Sequence, residues 1–271
     1  MKMDNIIGSI EEKYIIKYII ENMEPLAIGG SQETIKLTES DRKIIVYKKD
    51  NIPFIPGSSL KGVIRTYFDR IAYKLAEKFG IKIIHHPDNN EQVCDVSKIN
   101  DINELFSENN GQRNLCDLCL FFGANSYGSP LIVTDAQLVN YEGYLIETRT
   151  HIRISRDLDI TERGALFTAE SITPHNKFKG TIIYELKNFG DNNKELQENQ
   201  KILLQLLVNY LNDKDIYLGG MKSRGYGQCN FKIESVHKLS IDDIIFGKEG
   251  TCINIDEWIK ELSEKEVIKN D

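Results

Sequence analysis

Two separated segments, 55–65 and 219–227, place the tightest limit on what this chain can fold into. The first reads I-P-G-S-S-L-K-G-V-I-R. Pro56 and Gly57 punctuate a turn, and Ser58 or Ser59 is placed to cap a helix running on through Lys61, Ile64, Arg65 and Phe68. Main-chain N–H groups at a helix start point outward, and Lys61 and Arg65, four apart, share a face; together they suit a phosphate backbone. The second segment reads G-G-M-K-S-R-G-Y-G, with Gly219, Gly220, Gly225 and Gly227 interleaved with Lys222, Ser223, Arg224 and Tyr226. Such a composition lets a strand of nucleic acid approach the main chain closely. The two loops read as an RNA-binding surface.

A nucleic-acid partner is expected to leave a basic footprint, yet the net charge is −7. The charge is uneven. Residues 88–110 carry six acids and one Lys, and residues 234–271 carry ten acids and five Lys, so each stretch is −5 and the remainder is −7 + 10 = +3. Screening limits a charge's reach to about 8–10 Å, so the field near the loops decides. The 271 residues, 41% hydrophobic, suit one domain, 1–271, with insertions. No apolar run is long enough to span a membrane, and residues 1–8 lack a signal pattern. Five cysteines, two of them in a C-x-x-C, point to a reduced, cytoplasmic protein with a metal site rather than to disulfides.

Hydrophobic periodicity predicts strands at 13–23, where the apolar doublets also allow a helix, and at 131–139, 178–186 and 228–236, with a short candidate at 43–47. Helices are predicted at 58–78, 195–211 and 255–268, the last holding the single tryptophan, Trp258. Stripped of insertions, the order is β-α-β-β-α-β, an α+β, ferredoxin-like arrangement of the RNA-recognition-motif kind. The usual aromatic pair of a recognition-motif sheet cannot be located. Residues 81–120 form a long irregular insertion, a length that implies function or a tether. Residues 147–173, with Arg149, Arg153, Arg156, Arg163 and His151, read as a protruding hairpin.

Three constellations carry candidate chemistry. Cys94, Cys116 and Cys119 with His86, or alternatively His85, can close a tetrahedron around zinc and staple the 81–120 insertion. Asp50, in K-K-D-N, reads as a turn residue, whereas Asp41 is a candidate to hold a divalent ion, Mg2+ or Mn2+, against a phosphate. The hairpin arginines are diluted by Glu147, Asp157, Asp159 and Glu162; they suit either a solvated hairpin or a finger against a duplex. His151 has no second histidine nearby to form an acid–base pair.

Four stretches, P-L-A-I-G-G (25–30), F-I-P-G-S-S-L-K-G-V-I-R (54–65), L-C-D-L-C-L-F-F-G-A (115–124) leading to S-P-L-I-V-T-D-A (129–136), and L-G-G-M-K-S-R-G-Y-G-Q (218–228), resemble the RAMP superfamily of CRISPR effector proteins. The resemblance is to the repeated backbone subunit of type III complexes. It implies an RNA-recognition-like fold with a zinc-binding insertion and a protruding thumb at 147–173. It implies that Cys116 and Cys119 hold metal, and that Lys61, Arg65 and the 219–227 loop touch guide RNA, with Ser58 and Ser59 opening the gripping helix. Arg149 and Arg153 fall on the thumb. Asp41, fourteen residues before Ile55, suits the position of an aspartate that cuts target RNA with a divalent metal, although Arg42-Lys43 stands where a small residue and Pro are usual. The implied partners are guide RNA, target RNA, other type III subunits and copies of the chain itself. A non-catalytic RAMP subunit, structural or end-capping, would keep every feature except Asp41. A guide-processing ribonuclease would need an acid–base pair, and a zinc-stapled protein–protein module would bind no RNA.

Overall fold

The doublets in K-Y-I-I-K-Y-I-I suit a helix face as well as a strand; the β-branched isoleucines and pairing partners on both edges favour the extended chain. In the computed structural model, β1 (Ile10–Asn22) buries Tyr14, Ile16, Tyr18, Ile20 and Asn22 on one face and leaves Lys17 exposed on the other. The structure describes residues 8–30, 43–46, 48–49, 52–83, 94, 108–109, 112–113, 115–125, 127–139, 145–151, 167–190, 193–212 and 214–268.

After β1 come β2 (Gly29–Gly30), β3 (Lys43–Val46), β4 (Lys48–Lys49), β5 (Ile52–Ile55) and the long helix α1 (Gly57–Phe79). Next are β6 (Glu108–Asn109), β7 (Gln112–Arg113), α2 (Asp117–Phe122), β8 (Leu131–Val133), β9 (Ala136–Val139), β10 (Ile146–His151), β11 (Phe167–Ile172) and β12 (Lys177–Lys187). The chain closes with α3 (Lys194–Leu211), β13 (Lys214–Tyr217), β14 (Gln228–Ser240), α4 (Ile241–Ile245), β15 (Thr251–Cys252) and α5 (Ile255–Ile268).

The main sheet runs β13-β14-β1-β12-β9-β5-β4, with β8 also on β12 and β15 on β14. β1 is central and antiparallel to both β12 and β14. The register slips between Lys17 and Tyr18 against β14, a bulge that increases local twist. The architecture is mixed α/β around a mainly antiparallel sheet. One side of α1 enters the core through Leu60, Ile64, Phe68, Ala72 and Leu75, the spacing of an apolar helix stripe. α3 packs against α5, whose Trp258 stacks on Tyr14 at 5.8 Å.

The 131–139 segment is two strands rather than one, broken at Thr134–Asp135. The break has a use. The Gly57 N–H at the start of α1 donates to Asp135 Oδ1 at 2.8 Å. The cap residue is Pro56, without a side-chain cap, so neither Ser58 nor Ser59 caps the helix as the sequence suggests. The break between β8 and β9 supplies the missing carboxylate, where it also meets the positive end of the helix dipole. Gly57 approaches so closely that a β-carbon there would lie 2.1 Å from the Val133 carbonyl oxygen.

A second sheet, β10-β11-β3-β2, contains the paired β10–β11 hairpin of the predicted 147–173 protrusion. Buried Asn22 ties the end of β1 to its base: Nδ2 donates to the Thr173 carbonyl at 2.8 Å, and Oδ1 accepts from Asn176 N at 3.0 Å.

Candidate nucleic-acid interface and metal centre

The two segments that limit the fold meet in space. A groove of about 900 Å³ runs between α1 and the glycine loop, lined by Ser58, Ser59, Gly62, Thr66 and Arg70 on one wall and by Tyr217, Gly219 and Lys222 on the other. Tyr67 and Tyr210 stack at its floor, ring centroids 3.7 Å apart and 15° from parallel. Arg70 and Lys222 bring like charges together: burial and then Arg70 hold the Lys222 ammonium below its usual range. Two cations beside serine hydroxyls fit an anionic backbone, with Asp215 the acid among the lining residues.

The charged pair expected at this surface stands on another face. Residues 58, 62, 66 and 70 form one i,i+4 row on α1, and residues 61, 65 and 69 form a row about 100° around the helix from it. The first row fronts the groove. From the second, Lys61 Nζ donates to the Leu131 carbonyl at 2.9 Å, and Arg65 Nη1 donates to the Gly123 carbonyl at 2.9 Å. Arg70 and Tyr67 therefore replace Lys61 and Arg65 as the α1 groups in the groove. The i,i+4 spacing of Gly62, Thr66 and Arg70 was the signal that could have found Arg70; Tyr67 lies on the adjacent row with Ser59 and Val63.

The glycines are required first by the fold. Gly219 (φ +72°) lies where a β-carbon would be 2.3 Å from the Ala27 carbonyl oxygen, and at Gly227 (φ +85°) it would be 2.1 Å from that of Leu218. Gly220 N donates to the Ala27 carbonyl and Gly227 N to that of Pro25, each at 2.9 Å. The P-L-A-I-G-G stretch is thus the shelf on which the loop rests. Gly225 (φ +78°) faces open space, and Lys222, Ser223 and Arg224 are exposed. Gly227→Ala is expected to destabilise the protein by about 2–3 kcal/mol, from a left-handed backbone and a main-chain clash; thermal unfolding measures this, and an unchanged midpoint would contradict the packing described.

Tyr226, inside the loop, is buried. Its hydroxyl lies 3.2 Å from His151 Nε2, and the Arg149 guanidinium lies 5.8 Å from its ring centre. His151 thus joins β10 to the glycine loop. Arg149 also pairs with Glu147 at 3.0 Å.

Behind α1, Cys94, Cys116 and Cys119 place three sulfur atoms within 4.8 Å of one another, all buried. Cys116 N donates to Cys94 Sγ, and Cys119 N to Cys116 Sγ, both at 3.4 Å. Hydrogen bonding to Cys116 and Cys94, then burial, pushes the Cys119 thiol well above its ordinary range. Three converging soft donors with N–H···S support could hold a metal ion; tetrahedral zinc–thiolate geometry needs sulfurs about 3.8 Å apart. The C-x-x-C end of the 81–120 insertion is no isolated appendage, since Phe121 stacks on Tyr184 and Phe122 meets Phe68 edge-on. Asp117, fully buried, accepts from Lys82 N and from Asn199 Nδ2, each at 2.8 Å, locking α2 to α3.

Residues 19–230 match the sequence model of the RAMP superfamily. The chain belongs to the RAMP superfamily. Among relatives of this RAMP protein is the CRISPR system Cms endoribonuclease Csm3 of Methanocaldococcus jannaschii, 29% identical over 241 residues, covering 85% of this chain and 82% of that one. The protein of the same name from Streptococcus thermophilus is 27% identical, covering 76% and 81% respectively, and that from Enterococcus italicus 25%, covering 80% and 88%.

Asp41, Asp50, His85, His86, Arg153, Arg156 and Arg163 lie outside the described residues. What flanks Asp41 is described, however. β2 and β3 pair antiparallel, Gly30 with Ile45, so residues 31–42 connect two paired strands. Two residues after Asp41, Lys43 pairs with Thr168 of β11. No helix among the described residues is long and apolar enough to cross a membrane.

Proposed function

We propose that this RAMP protein is a subunit of a type III CRISPR effector complex that binds guide RNA along its groove and cleaves complementary target RNA through Asp41. The observation that carries this reading is the single groove built from the I-P-G-S-S and glycine-loop segments, in a chain whose relatives are named endoribonucleases of a CRISPR system.

The groove suits a sequence-independent grip. Ser58, Ser59, Arg70 and Lys222 offer hydroxyls and cations to phosphates, and Tyr217 and the Tyr67–Tyr210 stack offer ring surfaces. Base pairing between guide and target then supplies sequence choice, as in other guided effectors. The strand order β14-β1-β12-β9 supports a ferredoxin-like core. Residues 147–173 act as the thumb, which presses against the guide–target duplex and exposes one target nucleotide.

Asp41 belongs to the segment joining β2 to β3. That segment starts at the P-L-A-I-G-G shelf beneath the glycine loop and ends at the thumb-base sheet, so both ends are tied to parts that handle RNA. Its carboxylate holds Mg2+ or Mn2+, whose chemistry when bound is to stabilise charge on the scissile phosphate and favour the 2′-hydroxyl as nucleophile. Cys94, Cys116 and Cys119 hold a structural zinc with His86, or alternatively His85, as fourth ligand. Copies of the chain line up along the guide with other type III subunits in the cytoplasm, where thiols stay reduced.

The test is reconstitution of the chain with its native partners and guide. Complementary RNA is expected to be cleaved, and EDTA to stop cleavage. An Arg70→Ala, Lys222→Ala double variant is expected to retain less guide, with a salt dependence shallower by about one unit of log–log slope for each phosphate no longer neutralised. Cleavage that survives EDTA would favour an acid–base ribonuclease. Intact guide retention by the double variant would remove the groove from the reading.

A further inference from the structure

We propose that Arg65 is a positioning residue for the metal held by Cys94, Cys116 and Cys119, its guanidinium balancing the charge of the thiolate cluster. The inference rests on the metal reading given above. Arg65 is fixed from three directions. Nη1 donates to the Gly123 carbonyl at 2.9 Å, Nη2 lies 3.7 Å from Cys119 Sγ, and Nε lies 3.8 Å from Asp69 Oδ2. Gly123 is the residue at which α2 ends, so one guanidinium caps that helix and touches the ligand inside it.

The charge arithmetic gives this arrangement a purpose. A divalent cation with three thiolates carries one net negative charge. The sulfurs are buried, and the Asp69 carboxylate, 3.8 Å from Arg65 Nε, shares the guanidinium with them. A buried anionic cluster is costly unless a cation or N–H donors meet it. Arginine meets both needs, because it stays charged at any relevant pH and its planar fork reaches a carbonyl and a sulfur at once. Donors to a coordinating atom hold the ligand in place and tune its donor strength. The row 61, 65, 69 on α1 thus has work of its own on the side away from the groove, which explains why its cations are not in the groove.

The RNA-free full-length chain, titrated with Co2+, decides the matter. Tetrahedral thiolate-bound Co2+ gives sulfur-to-metal charge-transfer absorption, and competition with a chelator gives the affinity. Arg65→Gln is expected to weaken Co2+ binding by about 10–100-fold and to move the charge-transfer band, while Arg65→Lys, which keeps the charge but cannot reach both partners, falls between. A wild-type chain that shows no thiolate–Co2+ spectrum ends the metal reading and this inference with it. A wild-type chain that binds while both variants bind equally well leaves the metal site standing and overturns the role given to Arg65; weaker guide capture by those variants would then return Arg65 to RNA contact. If Arg65→Gln fails to fold by circular dichroism, Arg65→Lys decides alone: unchanged affinity and band position overturn the proposal.

Discussion

Replacing Asp41 with alanine is expected to lower target-RNA cleavage by the assembled complex by about 10³-fold or more, while guide RNA is retained at the wild-type level. A thousandfold loss corresponds to about 4 kcal/mol of transition-state stabilisation, the scale expected when the ligand of a catalytic ion is removed. The split between the two readouts is what matters. The groove is built from 58–70, Tyr210 and 215–222, and its walls are anchored through Asp135, Pro25 and Ala27. A variant that loses both cleavage and guide binding would make Asp41 a structural residue. A variant that still cuts would move catalysis elsewhere and favour a non-catalytic role for this segment.

Removal of the metal proposed for Cys94, Cys116 and Cys119, or Cys119→Ser, is expected to cost about 3–5 kcal/mol of stability, because the cluster is buried in the main core. In a domain this size each kcal/mol moves the thermal midpoint by about 2–4 °C, so a fall of roughly 6–20 °C is expected. Chelation of the wild type should reproduce most of it, and readdition of zinc should restore the wild type but not the serine variant. A wild-type protein that contains no metal by elemental analysis, and melts unchanged with chelator, would reduce the cluster to three packed thiols.

Most of the main elements were legible because their periodicities are strong, as in the stripe Leu60, Ile64, Phe68, Leu75 of α1; the Ile doublets of β1 also allowed a helix, and pairing on both edges makes them a strand. That the two loops meet in one groove was also within reach, since glycines alternating with Lys and Arg point to a close approach. The face of α1 that meets the groove was not legible. Adjacent rows of a helix differ by one residue in sequence, and the row with two cations outweighed the row with one. Asp135 as the cap of α1 was hidden because its partner is far away in the chain, and local capping rules look only at neighbours. The glycines of the loop pointed to close approach, but what approaches Gly219 and Gly227 is the protein's own backbone. Asp117 was overshadowed by its cysteines: a buried carboxylate bound to a side chain of α3 has no local signature.

The placement of β1 has a consequence for how the molecule is made. This strand leaves the ribosome well before its neighbours: β12 and β14 are encoded well over a hundred residues later. Translation at about 5–20 residues per second therefore leaves an isoleucine-rich strand with both edges open for roughly ten seconds or more. During that interval K-Y-I-I-K-Y-I-I is a ready template for another nascent chain, with its two lysines as the gatekeepers against aggregation. Yield from slow expression at low temperature should respond more to those lysines than to any residue of the groove.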